Sequence, residues 1–269
     1  DDVLQKWNID IEEKDISTSK GTAHIITCGS PSNPPVVLMH GMNATSTMWY
    51  PNVETLAKHF RVYAIDFILE PGKSELHGSI KTPKQMVEWY DEVIQSIQLD
   101  QFNLIGASKG GWIATHYAMN YPKKINKLVL LSPAQTFKWM QVDKMAKNLY
   151  YTMNPANNSF EKMLTTLSNQ PNKIIDPYKK QLQLANNIAD FGSMTIMMRP
   201  LVGFQLKKLD MPVLLMIGEN DLFNSSKGLK KAKKYLAQVD TMTVLGAGHF
   251  LSVDQSDIVN NKIIHFLKN

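Results

Sequence analysis

One cysteine, Cys28, stands in 269 residues, so no intrachain disulfide can staple the fold, and a cytoplasmic address is favoured over a secreted one. The chain begins Asp-Asp rather than Met, which leaves a signal segment ahead of it open. Arginine is nearly as scarce: Arg61 and Arg199 stand alone, and lysine carries the formal net charge of +5. The densest basic run, "LKKAKK" at 229–234, has the spacing of a solvated helix face and no interleaved aromatics. That argues against nucleic acid as a partner. Lysine in place of arginine otherwise fits the codon usage of an AT-rich bacterial genome. Long apolar runs are missing too, since none reaches the roughly 18 residues that a membrane span takes. No repeat, low-complexity tract or Cys/His cluster with metal-ligand spacing appears. What is present is ordinary for a globular protein, 43% hydrophobic and 20% charged residues, in a chain long enough for one large domain.

Short apolar runs alternate with helical patterns. "PPVVLMHG" (34–41), "FRVYAID" (60–66), "FNLIGAS" (102–108), "KLVLLSPA" (127–134), "MPVLLMIGEND" (211–221) and "DTMTVLGAGH" (240–249) read as strands buried on both faces. Such strands belong to a parallel sheet covered by helices. The helical patterns fall at about 46–59, 82–98, 110–121, 226–237 and 255–267, which makes this an α/β chain with helices on both faces of a mostly parallel sheet. The alternating residues of 7–18 and 22–29 predict an antiparallel pair at its start. From about 135 to 207 the rhythm breaks: no buried strand is evident. Helical spacing is rich in methionine (Met140, Met145, Met153, Met163, Met194, Met197, Met198) around a polar turn, "NPANN" at 154–158. This predicts a helical insertion across the end of the sheet, its methionines mostly core filling between helices.

"GASKG" at 106–110 has the form G-x-S-x-G, between an apolar strand and a helix. A turn that sharp lifts the Ser108 hydroxyl clear at the carboxyl end of the sheet, and Gly106 and Gly110 let the chain pass. The backbone N–H of Lys109 then sits at a helix start, where it can donate to a developing oxyanion. A serine needs a base, and the base an orienting acid. Of the seven histidines, His40 and His249 follow apolar strands at the right end, and His249, in "GAGHF", is preferred. "GENDLF" offers Glu219 and Asp221, with Asp221, farther into the loop, the better placed. The order Ser108, Asp221, His249 is nucleophile, acid, base.

On these residues the chain resembles the α/β-hydrolase superfamily from about residue 20 onward, and looks most like the small bacterial carboxylesterases. "VVLMHGMNATSTMW" is similar to the family's His-Gly segment. The resemblance makes His40 a structural loop residue and the Met42 N–H the second oxyanion donor. It also implies a helical cap (lid) inserted after the sixth strand, over 135–207, with 1–134 and 208–269 forming the core domain. One departure stands out: the family's Asp-x-x-Gly-x-Gly-x-Ser run is here "DFILEPGKS", which keeps Asp66, Gly72 and Ser74 but loses the glycine spacing. Lys109 is expected to face solvent, with attraction of an anionic substrate the lesser reading.

A serine nucleophile implies acyl transfer. The expected activity is ester hydrolysis through an acyl-enzyme, on small to medium apolar esters, with no metal or organic cofactor. Met42, Trp112, Trp139, Met197 and Phe250 are candidate pocket residues, with core packing an equal reading for each. Perhydrolase, thioesterase and carbon–carbon bond hydrolase chemistry stay open, as does a slow-turnover ligand-binding signalling role.

Overall fold

The computed structural model describes residues 1–139, 159–188 and 196–269. Met140, Met145, Met153, Met194 and the "NPANN" turn lie outside the described residues. Strands β1 (Ile11–Thr18) and β2 (Gly21–Cys28) open the chain, followed by β3 (Pro35–Met39), α1 (Val53–Ala57), β4 (Arg61–Ile65) and the two-residue β5 (Glu75–Leu76). Next come α2 (Pro83–Ser96), β6 (Phe102–Ala107), α3 (Lys109–Asn120) and β7 (Ile125–Leu131). Helices α4 (Ser159–Leu167), α5 (Asp176–Ile188) and α6 (Gly203–Leu206) stand between β7 and β8 (Val213–Gly218). Then follow α7 (Ser226–Tyr235), β9 (Val239–Val244), α8 (Leu251–Asp254) and α9 (Ser256–Lys268).

Eight strands form one sheet in the order β1-β2-β4-β3-β6-β7-β8-β9, with β5 paired to β2. β1 and β2 pair antiparallel, as their alternation predicts, and from β4 to β9 every pairing is parallel. Side chains alternate across a strand, which splits each apolar run between two cores. Val37, Met39, Leu104, Leu128, Leu130, Val213 and Leu215 face one, packed with Trp89 of α2 and Ile113 of α3. Val36, Leu38, Ile105, Val129, Leu214 and Met216 face the other, with Leu56 of α1 and Ile263 of α9. Burial on both sides is why these strands read as unbroken hydrophobic stretches.

Two expectations need correction. The helix read over 46–59 is a 3-10 turn at Ser46–Trp49 and then the short α1. Pro51 lies between them, and a proline offers no backbone N–H to carry one helix through. The sixth strand read from the sequence is β7, because β5 is too short to leave a periodic signal. Between β7 and β8 the described residues include helices and no strand. α4 and α5 contribute Met163, Leu164, Leu167, Tyr178 and Leu182 to a third cluster that reaches Phe223 and Val253.

Where α3 crosses the sheet the clearance is small. A Cβ on Gly110 would lie 2.1 Å from the Met39 carbonyl oxygen, and one on Gly106 would lie 2.4 Å from that of Gly110. Gly228 of α7 is different, since its nearest neighbour would be Phe137 Cβ at 3.8 Å. Gly110→Ala is therefore expected to lower stability by several kcal/mol, on the order of an overpacked core. Gly228→Ala should raise it by about 0.5–1 kcal/mol, the helical gain of alanine over glycine. Urea unfolding of the two variants beside the parent checks both signs.

Candidate active site

Ser108 lies between β6 and α3 with φ 52° and ψ −118°, a region that a residue with a side chain enters only when its surroundings hold it there. They do. Its N–H donates to Leu131 O at 2.9 Å, and its carbonyl accepts from Gly111, Trp112 and Ala134 N–H at 3.0, 3.2 and 3.0 Å. A serine preceding a helix usually turns its hydroxyl onto the helix's own N–H groups. Here Ser108 makes no such cap, and its Oγ lies 2.9 Å from His249 Nε2.

His249 comes from the loop between β9 and α8, and is buried. Its Nδ1 lies 3.1 Å from Asp221 Oδ1, and Phe223 sets an aromatic edge against the ring at 4.8 Å between centroids. Asp221 is in the loop after β8. Phe223 N–H and Asn224 N–H donate to its Oδ1 at 2.9 and 3.2 Å, and the Asn224 amide donates to its Oδ2 at 2.9 Å. The carboxylate is thus oriented before it meets the imidazole. Burial pushes the Asp221 carboxyl up, but the His249 charge and hydrogen bond and the Phe223 N–H outweigh it and hold it at about 2. Glu219, the other candidate acid, is exposed and accepts the Gly246 N–H at 3.0 Å instead.

The three loops meet because β6, β8 and β9 run parallel and end at one edge of the sheet. The β3 loop ends there as well. His40 is buried, accepts the Phe67 N–H on Nε2 at 2.8 Å and donates from Nδ1 to Gly41 O at 2.9 Å. That places it in the loop's scaffold. Among the described residues the Met42 N–H, two positions on, has no acceptor.

Comparison with known proteins assigns the fold family. Residues 34–256 match the α/β-hydrolase fold family. The chain belongs to that family. It is 28% identical to carboxylesterase YbfK of Bacillus subtilis, covering 99% of this chain and 91% of the relative. It is 29% identical to an uncharacterized carboxylesterase of the same organism, nap, covering 98% and 89%. The crystal structure of naproxen esterase (carboxylesterase NP) from Bacillus subtilis superposes with a TM-score of 0.92 at 28% identity, over 99% of this chain and 94% of that one.

Beside Ser108 this α/β-hydrolase has a cavity of about 60 Å³. Among the described residues its wall includes Met42, Met48, Leu131, Tyr178, Leu182 and Phe250. Of the other pocket candidates, Trp112 is in the core with its indole N–H on Arg199 O, while Trp139 and Met197 are 59% and 65% exposed. A wider cleft, about 440 Å³, lies between Asn8–Glu12 and Lys58–Arg61. It holds no nucleophile–base pair, and its Arg61 is tied to Gly29 O and Glu12. Among the described residues no helix is long and apolar enough to cross a membrane, and no cluster of three or more His, Cys, Asp or Glu could hold a metal ion.

The Lys109 side chain does not face solvent. It is 3% exposed and pairs with Glu70, which is 1% exposed. Its stem reaches back along the loop after β4, where the ammonium also sits over Phe67 at 5.4 Å. The altered "DFILEPGKS" run keeps a working core: Asp66 accepts Ser46 and Lys73 N–H at 2.7 and 2.9 Å, and Ser74 Oγ donates to Asp66 O.

Sequence reasoning also missed Asp254. Fully buried in α8, it accepts Gly248 N–H at 2.7 Å, Asn169 N–H at 2.9 Å, Gln170 N–H at 3.3 Å and the Ser168 hydroxyl. It therefore clips the histidine loop to the segment after α4. Gly248 allows this approach, because a Cβ there would lie 2.7 Å from Leu167 O. A lone acid in the otherwise uncharged "HFLSVD" was the available signal, but its partners Ser168, Asn169 and Gln170 lie far off in sequence, before β8.

Asp254→Ala would leave several buried N–H groups without an acceptor, and should lower stability by about 3–5 kcal/mol in urea unfolding. For Asp221 the folded carboxyl titrates near 2 and the ordinary value is 3.8. The unfolded chain binds more protons between those values, so the stability Asp221 confers is full above about pH 4 and lost as pH falls toward about 2. The melting temperature over that range should fall less steeply in Asp221→Asn than in the parent.

Proposed function

We propose that this α/β-hydrolase is a serine carboxylesterase that cleaves carboxylic esters through an acyl-enzyme intermediate. The observation that carries the reading is the hydrogen-bonded line from Ser108 Oγ to His249 Nε2, 2.9 Å, and from His249 Nδ1 to Asp221, 3.1 Å. The two Bacillus subtilis relatives named carboxylesterases support it.

With Nδ1–H on Asp221, His249 presents a bare Nε2 to the Ser108 hydroxyl and acts as general base. Ser108 Oγ attacks the ester carbonyl as its proton passes to His249. The carbonyl electron pair moves onto oxygen, where the N–H groups of Met42 and Lys109 hold it; each is worth about 3 kcal/mol of barrier. Asp221, ionised at working pH, steadies the imidazolium. Collapse of the tetrahedral intermediate expels the alkoxide, which takes the proton from His249. Water, activated by the same imidazole, then releases the acid. Every group these steps use is supplied by side chains and backbone.

Residues 135–207 are read as a cap, and 1–134 with 208–269 as the core; α5 of the cap brings Tyr178 and Leu182 to the cavity wall. A cavity of about 150 Å³ admits the six carbons of benzene, so at the same room per carbon about 60 Å³ holds a short acyl group of about two carbons.

Hydrolysis of p-nitrophenyl esters from acetate to palmitate tests the reading. Turnover should be highest at acetate and fall as the acyl chain lengthens, and Ser108→Ala should lose at least about a thousandfold in kcat. A protein inert toward every ester, with Ser108 still labelled by a fluorophosphonate, would sink the esterase assignment.

A further inference from the structure

A buried ion pair is expensive. Two apolar side chains of similar size often leave a protein as stable or more so. Glu70 and Lys109, 1% and 3% exposed, therefore need a reason other than stability. Their connections supply one. Glu70 Oε1 pairs with Lys109 Nζ, and Glu70 Oε2 accepts the Asn43 N–H at 2.7 Å.

Asn43 follows Met42, and Lys109 follows Ser108. One carboxylate thus grips the residue beside the first oxyanion donor and the side chain of the second. Asn43 itself has φ 52°, a left-handed conformation that asparagine tolerates better than most residues but that still has to be held. Its N–H belongs to the peptide unit that begins with the Met42 carbonyl, so fixing it fixes the plane on the carboxyl side of Met42. On the other face His40 and the Gly41 N–H, which donates to Met48 Sδ at 3.2 Å, pin the approach to Met42.

We infer that Glu70 is a positioning residue: through Asn43 and Lys109 it sets the separation of the two backbone donors that receive the oxyanion. This rests on the esterase reading above. Glu70 touches neither substrate nor reacting atom. Its effect belongs to the transition state, where donors must lie within about 2.7–3.1 Å of the developing charge. Ground-state binding in the apolar cavity should feel it little.

The test is Glu70→Leu combined with Lys109→Met, which removes both buried charges together and so strands neither. Two readouts are taken on the full chain: steady-state hydrolysis of p-nitrophenyl acetate, and inhibition by a methyl trifluoromethyl ketone. Ser108 Oγ adds to that ketone, forming a C–O bond; the carbonyl pair moves to oxygen and the Ser108 proton to His249, so the adduct mimics the oxyanion. The expected result is kcat down about 10- to 100-fold, KM within about threefold, and Ki for the ketone up by about the same factor as kcat/KM falls.

A folded double variant with kcat and Ki like the parent's would overturn the inference, and a loss confined to KM would do the same. Should the double variant fail to fold, Glu70→Gln is judged by the same two ratios; it drops the charge at constant shape. Failure of the parent to hydrolyse any ester counts against the esterase reading. An active parent with an indifferent variant counts against the role of Glu70 alone.

Discussion

Ser108 occupies a backbone conformation with φ 52° and ψ −118° that costs on the order of 1–3 kcal/mol, and the neighbouring structure is arranged around keeping it there. Its carbonyl is held by three N–H donors from α3 and the chain after β7. α3 can deliver two of them because glycine at 106, 110 and 111 lets the helix lie against β3 and Pro133 without a side chain between. The turn also sets the direction of the hydroxyl. A relaxed serine would cap α3; this one is aimed at His249. The parallel pairing of β6, β7, β8 and β9 then decides that the histidine and aspartate loops emerge on the same edge. The remainder of the sheet fixes how far apart they stand.

Loops at that edge have no ladder to satisfy their backbone N–H groups, and the edge is buried. Buried N–H groups need acceptors, and a carboxylate accepts from several directions while donating nothing. The protein uses one at each junction. Asp66 takes N–H groups of Ser46 and Lys73, Glu70 that of Asn43, Asp221 those of Phe223 and Asn224, and Asp254 those of Gly248, Asn169 and Gln170. Each joins segments that the sheet does not hold together, or shapes the loop that carries it. Asp254 reaches across to the segment after α4, so the position of His249 and the seating of α4 are one constraint.

The parts of this design that are local in sequence were legible in it. The turn at Ser108 shows in five residues, because glycines and a serine between a strand and a helix have few other uses. The strands show because burial on both faces leaves uninterrupted apolar runs, and Asp221 and His249 follow the last two of them. The carboxylate junctions were hidden for the opposite reason. Nothing near Lys109 says that its ammonium folds back to Glu70, thirty-nine positions earlier, and an exposed lysine at a helix start is the commoner outcome. Trp139 and Met197 are exposed, and which face of an apolar segment turns toward Ser108 is likewise a tertiary matter. Pro51 was a local signal, and its power to stop a helix between two short turns was visible in the sequence.

Four buried carboxylates around a site proposed to stabilise a negative oxygen look self-defeating, and their wiring explains why they need not be. Charge acts through what faces the reacting atoms, and each of these carboxylates faces N–H groups or a cation. Glu70, bonded beside the proposed oxyanion donors, carries Lys109 as a counter-ion, so its negative charge is opposed where it lies. Asp221, its carboxyl held low, is turned to His249, where in the proposed reaction its charge favours the imidazolium that forms once the serine proton has moved. Removing water from such an edge strengthens every remaining interaction, attractive and repulsive alike. A site built this way therefore depends less on how many charges it contains than on whether each has its partner before substrate arrives.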